Sequence, residues 1–224
     1  METAPYSLPF RSVRSVTRPD ALTVGALAGP VFVTVAVAQM LVRPGFDISV
    51  HPISALSLGS AGWVQIANFV AAGFVTMVAA AALRRRIRGA PGGAWGPLLV
   101  GVFGLGMALA GVFVTDPALG FPIGTPDAMP EQLSGSAIVH NVAAQSAFAA
   151  CAAAAVVFAF HYRRARRTGL ARWSMAVPVL LVVVMVAPVP VGMSIRLLAG
   201  TVVLFSWLST VCATAARRSG PQEA

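Results

Sequence analysis

Residues 41–69 read LVRPGFDISVHPISALSLGSAGWVQIANF, and this stretch separates two long apolar runs of the chain. Its middle is a polar loop interrupted by Pro and Gly, which brings Asp47, His51 and Ser54 close together in sequence. The flanking runs, residues 21–42 and 61–83, carry no charged residue. Each is long enough to cross a bilayer as a helix, so the pattern predicts a helical membrane protein with a polar connecting loop.

The composition points to the same class of protein. Of the 224 residues, 57% are hydrophobic and 10% are charged, and the mean hydropathy is +0.80. A soluble domain carries about 25% charged residues. So much apolar surface cannot be buried in a single core, and we expect lipid to be the solvent for much of it. The predicted partner is therefore the lipid bilayer, with a possible lipid ligand.

Six apolar runs predict an all-α, polytopic membrane protein with six transmembrane helices. The first run would span about 33 Å as a helix, at roughly 1.5 Å per residue. It also resembles a signal peptide with a cleavage site at Ala36-Val37-Ala38, but it continues through Met40 and Leu41, which favours a retained helix. The predicted spans are residues 21–42, 61–83, 95–115, 136–160, 173–187 and 194–216, with a disordered cytoplasmic tail at 1–20 and a second cytoplasmic tail at 217–224.

The arginines predict the orientation. All 16 basic residues are arginines, and all but Arg43 and Arg196 lie in the N-terminal tail, in residues 84–88 and 163–172, or at 217–218. Such blocks fix orientation and contact anionic lipid heads, so the formal charge of +9 does not indicate nucleic-acid binding. We expect both termini in the cytoplasm. A composition rich in Ala, Val, Arg and Gly without Lys indicates a GC-rich bacterial genome and hence the bacterial cytoplasmic membrane.

The first candidate site is the sequence His51-Pro52-Ile53-Ser54. Pro52 fixes its own φ and biases His51 away from helix, and Ser54 could cap a short helix at residues 55–58. In a functional interpretation His51 is a metal ligand or general base that Asp47 orients. In a structural interpretation the segment is a capped re-entrant turn.

Two further candidates lie near the ends of the third and fourth predicted spans. Asp116 follows the third span, where the helix dipole disfavours a negative charge. We expect a compensating partner, and Arg196 is the first candidate for a structural ion pair, with Arg43 the second. A serine cap would place His140 about one turn into the fourth helix, where an unsatisfied histidine is costly.

These residues allow three functions. If His51, Asp116 and His140 converge, they form a two-histidine, one-carboxylate set that suits a catalytic zinc with an open position. With Ser54, they would be the catalytic residues of an intramembrane, metal-dependent lipid hydrolase. The alternative is a non-enzymatic protein whose cluster is structural or binds a lipid or partner. A small-solute transporter is disfavoured, because no charged residue lies well inside a span.

Small and amide residues indicate how the helices pack. Gly101, Gly104, Gly106 and Gly111 would let the third helix approach its neighbours closely in lipid. Gln39, Gln65 and Asn68 are interpreted as amides that join helices. Cys151 and Cys212 lie inside apolar runs, and we interpret both as packing residues.

Three parts of the chain resemble a known family. They are HPISALSLGSAGWVQIANFVAAG (51–73), WGPLLVGVFGLGMALAGVFVTDPALGFPIGTP (95–126) and the later His140. Together they are similar to the membrane family filed as domain of unknown function 998, over roughly residues 25–210. The resemblance implies a six-span bacterial or archaeal membrane protein with signature residues of unassigned role: His51, Ser54, Asp116 and His140. The approach from Gly135 to His140 is longer than the usual Gly-x-x-His of the family.

Overall fold

In the part of the chain that the structure describes, six α-helices are long and apolar enough to cross a membrane, which confirms the predicted class of helical membrane protein. The computed structural model describes residues 20–188 and 191–217. A short 3₁₀ helix, Ile53–Ser57, lies in the first long loop. The six helices are α1 (Ala21–Val42), α2 (Gly62–Arg86), α3 (Trp95–Val112), α4 (Gly135–Arg164), α5 (Thr168–Val186) and α6 (Met193–Ala216). Most of the two predicted tails lies outside the described residues.

Several helix ends differ from the predicted spans by up to five residues, and local contacts account for the earlier end of α3. α3 ends at Val112 and not at residue 115, because carbonyls near its end accept hydrogen bonds from side chains of α4. α4 continues to Arg164, and a turn with Arg166 at φ 56° leads directly into α5. The apolar runs therefore located the helices, and side-chain bonds from α4 accompany the earlier end of α3.

The helices form a closed ring. Each one packs against its neighbours in the chain, and α1 packs against α6. Aromatic rings fill the middle: the ring centroid of Phe205 lies 5.3 Å from those of Phe32 and Phe103. Phe158 packs against Trp207 on the other side of this core, and Cys151 and Cys212 are buried in it as free thiols. Within the described residues, the filled centre gives the transporter alternative no support.

Two glycines let α2 and α3 touch through their backbones. A Cβ atom built on Gly73 would lie 2.5 Å from the carbonyl oxygen of Gly104, and one on Gly104 would lie 2.7 Å from that of Gly73. Real Cβ atoms do not come so close to backbone. Gly101, on the same helix as Gly104, differs, because its nearest neighbour would be the Cβ of Ala80 at 3.8 Å. Glycine is therefore required for packing at position 104 but not at position 101.

We expect Gly104→Ala to lower the melting temperature of the detergent-solubilised protein. Its methyl group has no room without backbone movement, and such overpacking costs about 1–3 kcal/mol. Gly101→Ala is the matched control: it should leave the melting temperature unchanged or raise it, since Ala favours a helix over Gly by about 1 kcal/mol. Equal melting temperatures for the two variants would contradict the close approach of α2 and α3.

Candidate functional site

At one end of the ring, residues 43–61 and 113–134 fold together into a cap. Phe121 is buried in the cap with Ala55 and Leu58, and this small cluster is separate from the main core. Phe46 and Val114 pack against it from either loop. The arginine blocks of residues 84–88 and 163–172 lie at the other end of the helices, which we call the arginine end. All the residues that the sequence singles out for chemistry lie in or beside the cap.

His51 is a bridge inside the cap. Its Nδ1 accepts a hydrogen bond from the backbone N–H of Asp47 at 2.9 Å, so the ring proton is on Nε2. Nε2 then donates to the carbonyl of Leu119, in the other loop, at 2.8 Å. The ring packs against those of Phe46 and Phe121 and is 5% exposed. Both nitrogens of His51 are therefore engaged with the protein's own backbone.

Asp47 does not orient His51 through its carboxylate, and Ser54 does not cap the short helix that follows. The carboxylate of Asp47 accepts bonds from the hydroxyl and the N–H of Ser49 at 2.7 and 2.8 Å, and these bonds lower the pKa of Asp47. It is thus the backbone of Asp47, and not its carboxylate, that orients His51. The expected cap at Ser54 is also wrong, because the 3₁₀ helix begins at Ile53 with Pro52 as its N-cap, and Ser54 lies half-buried within it.

Asp116 fixes the entry into α4. Its Oδ2 accepts a hydrogen bond from the N–H of Ser134 at 2.8 Å, and the Ser134 hydroxyl and N–H hold the pKa of Asp116 below its ordinary value. The Ser134 hydroxyl also accepts a bond from the N–H of Ala137, as an N-cap does. Ser136 donates to the carbonyl of Val114 at 2.8 Å, which ties the start of α4 to the end of α3.

Arg196 satisfies the end of α5. Its guanidinium donates to the carbonyls of Val184 and Met185 at 3.0 Å and to that of Ala187 at 2.7 Å. The last carbonyls of a helix have no partner within the helix, so a forked donor with five N–H groups suits them. The expected Asp116–Arg196 ion pair is thus replaced by two separate contacts, in which Asp116 binds Ser134 and Arg196 binds α5.

His140 binds carbonyls at the end of α3, as Arg196 binds those at the end of α5. Its Nδ1 lies 2.8 Å from the carbonyl of Ala110 and 2.9 Å from that of Phe113. Both atoms are acceptors, so Nδ1 carries a proton and donates to them. The ring is 4% exposed and meets the ring of Phe69 edge-on. The cost of burying this histidine is offset by its bonds to the end of α3.

His51, Asp116 and His140 therefore do not form a ligand set. His51 joins the two loops of the cap, Asp116 binds the start of α4, and His140 binds the end of α3. Over residues 20–188 and 191–217, no group of three His, Cys, Asp or Glu side chains is arranged to hold a metal ion. This geometry offers no support for the zinc site that the residue types suggested.

Two other side chains have the same role, which the sequence did not indicate for either of them. Arg43 donates to the carbonyls of Leu56 and Leu58 and lies over the ring of Phe121 at 5.5 Å. Near the arginine end, His161 lies 3.0 Å from the carbonyl of Pro91 and donates to it through Nδ1. A donor side chain at a helix end, opposite a loop broken by Pro or Gly, is the signal that could have found them.

A different feature lies at the arginine end, on the outer surface of the helix ring. α2 and α3 flank an apolar groove of about 410 Å³, and Arg84 stands at its mouth. Nη1 of Arg84 donates to the carbonyl of Gly93 at 2.8 Å, which holds the guanidinium in place. The remaining lining is apolar and combines small residues with larger ones: Ala80, Ala81 and Gly101 with Met77, Leu98 and Leu105.

Comparison with known proteins confirms the family resemblance. The model of the family described as "Protein of unknown function (DUF998)" matches residues 26–214, which reach into all six helices. No curated protein and no solved structure matches the chain. The match agrees with the helical membrane architecture and assigns no reaction to the residues of the cap.

Replacing His51 by Phe tests the bridge in the cap. Phe keeps a ring between Phe46 and Phe121 but leaves the Leu119 carbonyl and the Asp47 N–H without their partner, a loss of about 1–3 kcal/mol. We expect a lower melting temperature and faster protease cleavage of residues 113–134. Ser54→Ala, in the same loop, should behave as wild type. Cleavage of His51→Phe at the wild-type rate would show that the bridge does not hold the cap.

Asp116 should make the stability depend on pH. Its pKa lies below the ordinary value of 3.8 in the folded protein, so its contribution is present above that value and is lost as the pH falls through the folded pKa. The difference in melting temperature between wild type and Asp116→Asn should therefore shrink on acidification from neutral pH to about pH 3. Asp127→Asn, in the same loop, should follow wild type. A difference that stays constant with pH would refute this role of Asp116.

Proposed function

The chain belongs to the DUF998 family of proteins of unknown function, and from this premise we propose that it is a non-catalytic, lipid-binding protein of the bacterial cytoplasmic membrane. The ligand is an anionic phospholipid that binds in the groove between α2 and α3. The cap at the other end has a structural role. The observation that carries this proposal is an apolar groove that ends at a fixed guanidinium.

The groove matches the two parts of a phospholipid, with apolar walls for an acyl chain and a guanidinium at the mouth for the phosphate. Between Met77 and Arg84, α2 rises by about 10 Å, which is part of the length of an acyl chain. The walls along this distance are apolar, and the mouth offers the N–H groups of Arg84 that Gly93 does not use. A guanidinium binds phosphate oxygens with two parallel hydrogen bonds, which gives geometry as well as charge.

The charges near Arg84 favour an anion. The nearest carboxylate of the described arginine end is Asp20, and it lies on the side of α2 that faces α1, in a pocket with Arg85 and Arg86. Bonds from Thr23 and the nearby charge of Arg86 lower the pKa of Asp20, so this acid is already compensated. Arg84 faces the opposite groove, where the lining holds no acid.

The proposed orientation brings the groove to the appropriate leaflet. The arginine bias favours an arginine end in the cytoplasm, with both termini on that side. Anionic lipids are enriched in the cytoplasmic leaflet and attract basic segments there. In this orientation the phosphate of such a lipid would lie at the level of Arg84.

The hydrolase alternative needs an accessible nitrogen on His51, and both of its ring nitrogens bond backbone groups. His140 likewise donates to the end of α3. Metal analysis of purified wild type, His51→Ala and His140→Ala separates the two functions. Stoichiometric zinc in wild type that both variants lose would favour the hydrolase over the lipid-binding function.

The lipid proposal is tested with two arginine variants that remove the same charge. In mixed micelles, we expect phosphatidylglycerol to raise the melting temperature of wild type more than phosphatidylcholine does. A hydrogen bond to a charged group contributes about 1.5–3 kcal/mol, so Arg84→Gln should weaken phosphatidylglycerol binding about tenfold or more. Arg86→Gln, which removes the charge on the other face of α2, should retain wild-type binding.

A third variant tests the groove without touching the charge. Gly101→Leu should fill the groove from a position with ordinary contacts, so native mass spectrometry should show fewer retained phospholipids per protein. Equal losses in Arg84→Gln and Arg86→Gln would indicate a diffuse charge effect. That outcome, or equal stabilisation by both lipids, would overturn the proposed site.

A further inference from the structure

Three buried polar atoms near the cap have no hydrogen-bond partner in the described part of the chain. They are Oε1 of Gln39, Nε2 of Gln65 and Oγ of Ser57, and the three residues are 7%, 0% and 5% exposed. A buried polar atom without a partner costs about 1–3 kcal/mol, so each of these atoms requires an explanation. Thr76 and Ser209 also have unpaired hydroxyls, but each lies within a helix, where the hydroxyl can turn toward the carbonyl one turn back.

The two glutamines meet at the interface of α1 and α2. Nε2 of Gln39 donates to Oε1 of Gln65 at 2.7 Å and to the carbonyl of Val35 at 3.2 Å. Oε1 of Gln65 also accepts a bond from Asn68, whose Nδ2 donates in addition to the carbonyl of Phe32. These bonds fix the amide orientations. If either glutamine amide were turned over, two acceptor oxygens or two donor N–H groups would face each other. The free acceptor of Gln39 and the free donor of Gln65 are thus real features of this network.

Contacts from α1 place Ser57 beside this network. Arg43 lies four residues after Gln39, so the two side chains share a face of the chain leaving α1. Arg43 donates to the carbonyls of Leu56 and Leu58, the residues on either side of Ser57. Ser57 is therefore held beside the end of α1, where Gln39 lies in the last turn.

Contacts from α2 place Ser57 beside the first turn of that helix. Gly62 begins α2, three residues before Gln65, so both positions share a face. A side chain on Gly62 would overlap the carbonyl of Ser57, which shows that the 3₁₀ helix rests on the first turn of α2. Both helices thus bring the Ser57 hydroxyl and the free amide atoms to one region beneath the cap.

We propose that Ser57, Gln39 and Gln65 bind one ordered water molecule. The water donates to Oε1 of Gln39, accepts from Nε2 of Gln65, and exchanges a third bond with the Ser57 hydroxyl, which can donate or accept. Buried waters make about three such bonds, to polar groups that would otherwise be unpaired. The site connects the cap to the α1–α2 interface, and it is independent of the lipid groove at the arginine end.

A double-mutant cycle tests whether the groups share one water. Ser57→Ala and Gln39→Met each remove one ligand of the water, so the second change should cost little after the first. We expect the double variant to lose clearly less in melting temperature than the sum of the two single variants. The control cycle pairs Ser57→Ala with Thr76→Val. Thr76 lies on α2 about 16 Å further along the helix than Gln65, so the two losses should be additive.

An experimental structure in lipid nanodiscs provides a second measurement that does not depend on the stability of variants. It should show density for one water within hydrogen-bond distance of Gln39 Oε1 and Gln65 Nε2. A cycle for Ser57 and Gln39 as additive as the control would overturn the proposal. So would a structure in which the Ser57 hydroxyl bonds a glutamine directly, with no density between them.

Discussion

The structure depends on hydrogen bonds from side-chain donors to the backbone carbonyls at helix ends and in loops. The last carbonyls of a helix lack intrahelical partners, and near lipid an unpaired carbonyl costs several kcal/mol by typical values. His140 serves the end of α3, Arg196 the end of α5, and His51 and Arg43 serve the loops of the cap. Polar residues are scarce in this chain, and the backbone uses most of those at the capped end. Residues with the composition of an active site thus hold the cap together through hydrogen bonds to the backbone.

Away from these hydrogen bonds, other contacts hold the helices together. Between the two ends, the helices pack through aromatic rings and through glycines such as Gly73 and Gly104, because lipid offers no hydrophobic drive for helix association. The groove at Arg84 is lined by small residues, such as Ala80, Ala81 and Gly101, together with larger apolar side chains of α2 and α3. The two ends therefore differ: in the cap, His51 and Arg43 bond backbone groups of its two loops, whereas Arg84 has N–H groups beyond the one that bonds the carbonyl of Gly93.

The fold could be predicted from the sequence because apolar runs and arginine blocks are properties of composition and length. The site could be predicted only in part. The residue types placed His51, Asp116 and His140 at one common end of the helices, where the structure also has them. The partners of these side chains, however, are backbone atoms, which carry no residue-specific signal. For the same reason Arg196 was paired with Asp116 on the basis of charge, although it binds the carbonyls of α5. The role of the Asp47 backbone beside His51 was equally invisible, because every residue except proline has an N–H group.

The most direct test of this account is the tautomer of each imidazole. The chain has 3 histidines, so ¹⁵N-histidine labelling and solid-state NMR in bilayers give three assignable rings. Near neutral pH, the account predicts a proton on Nε2 and a bare Nδ1 for His51, and a proton on Nδ1 for His140. A His51 ring with a protonated Nδ1, or ¹⁵N shifts of metal-bound nitrogen at either ring, would contradict the claim that these histidines hold the backbone together.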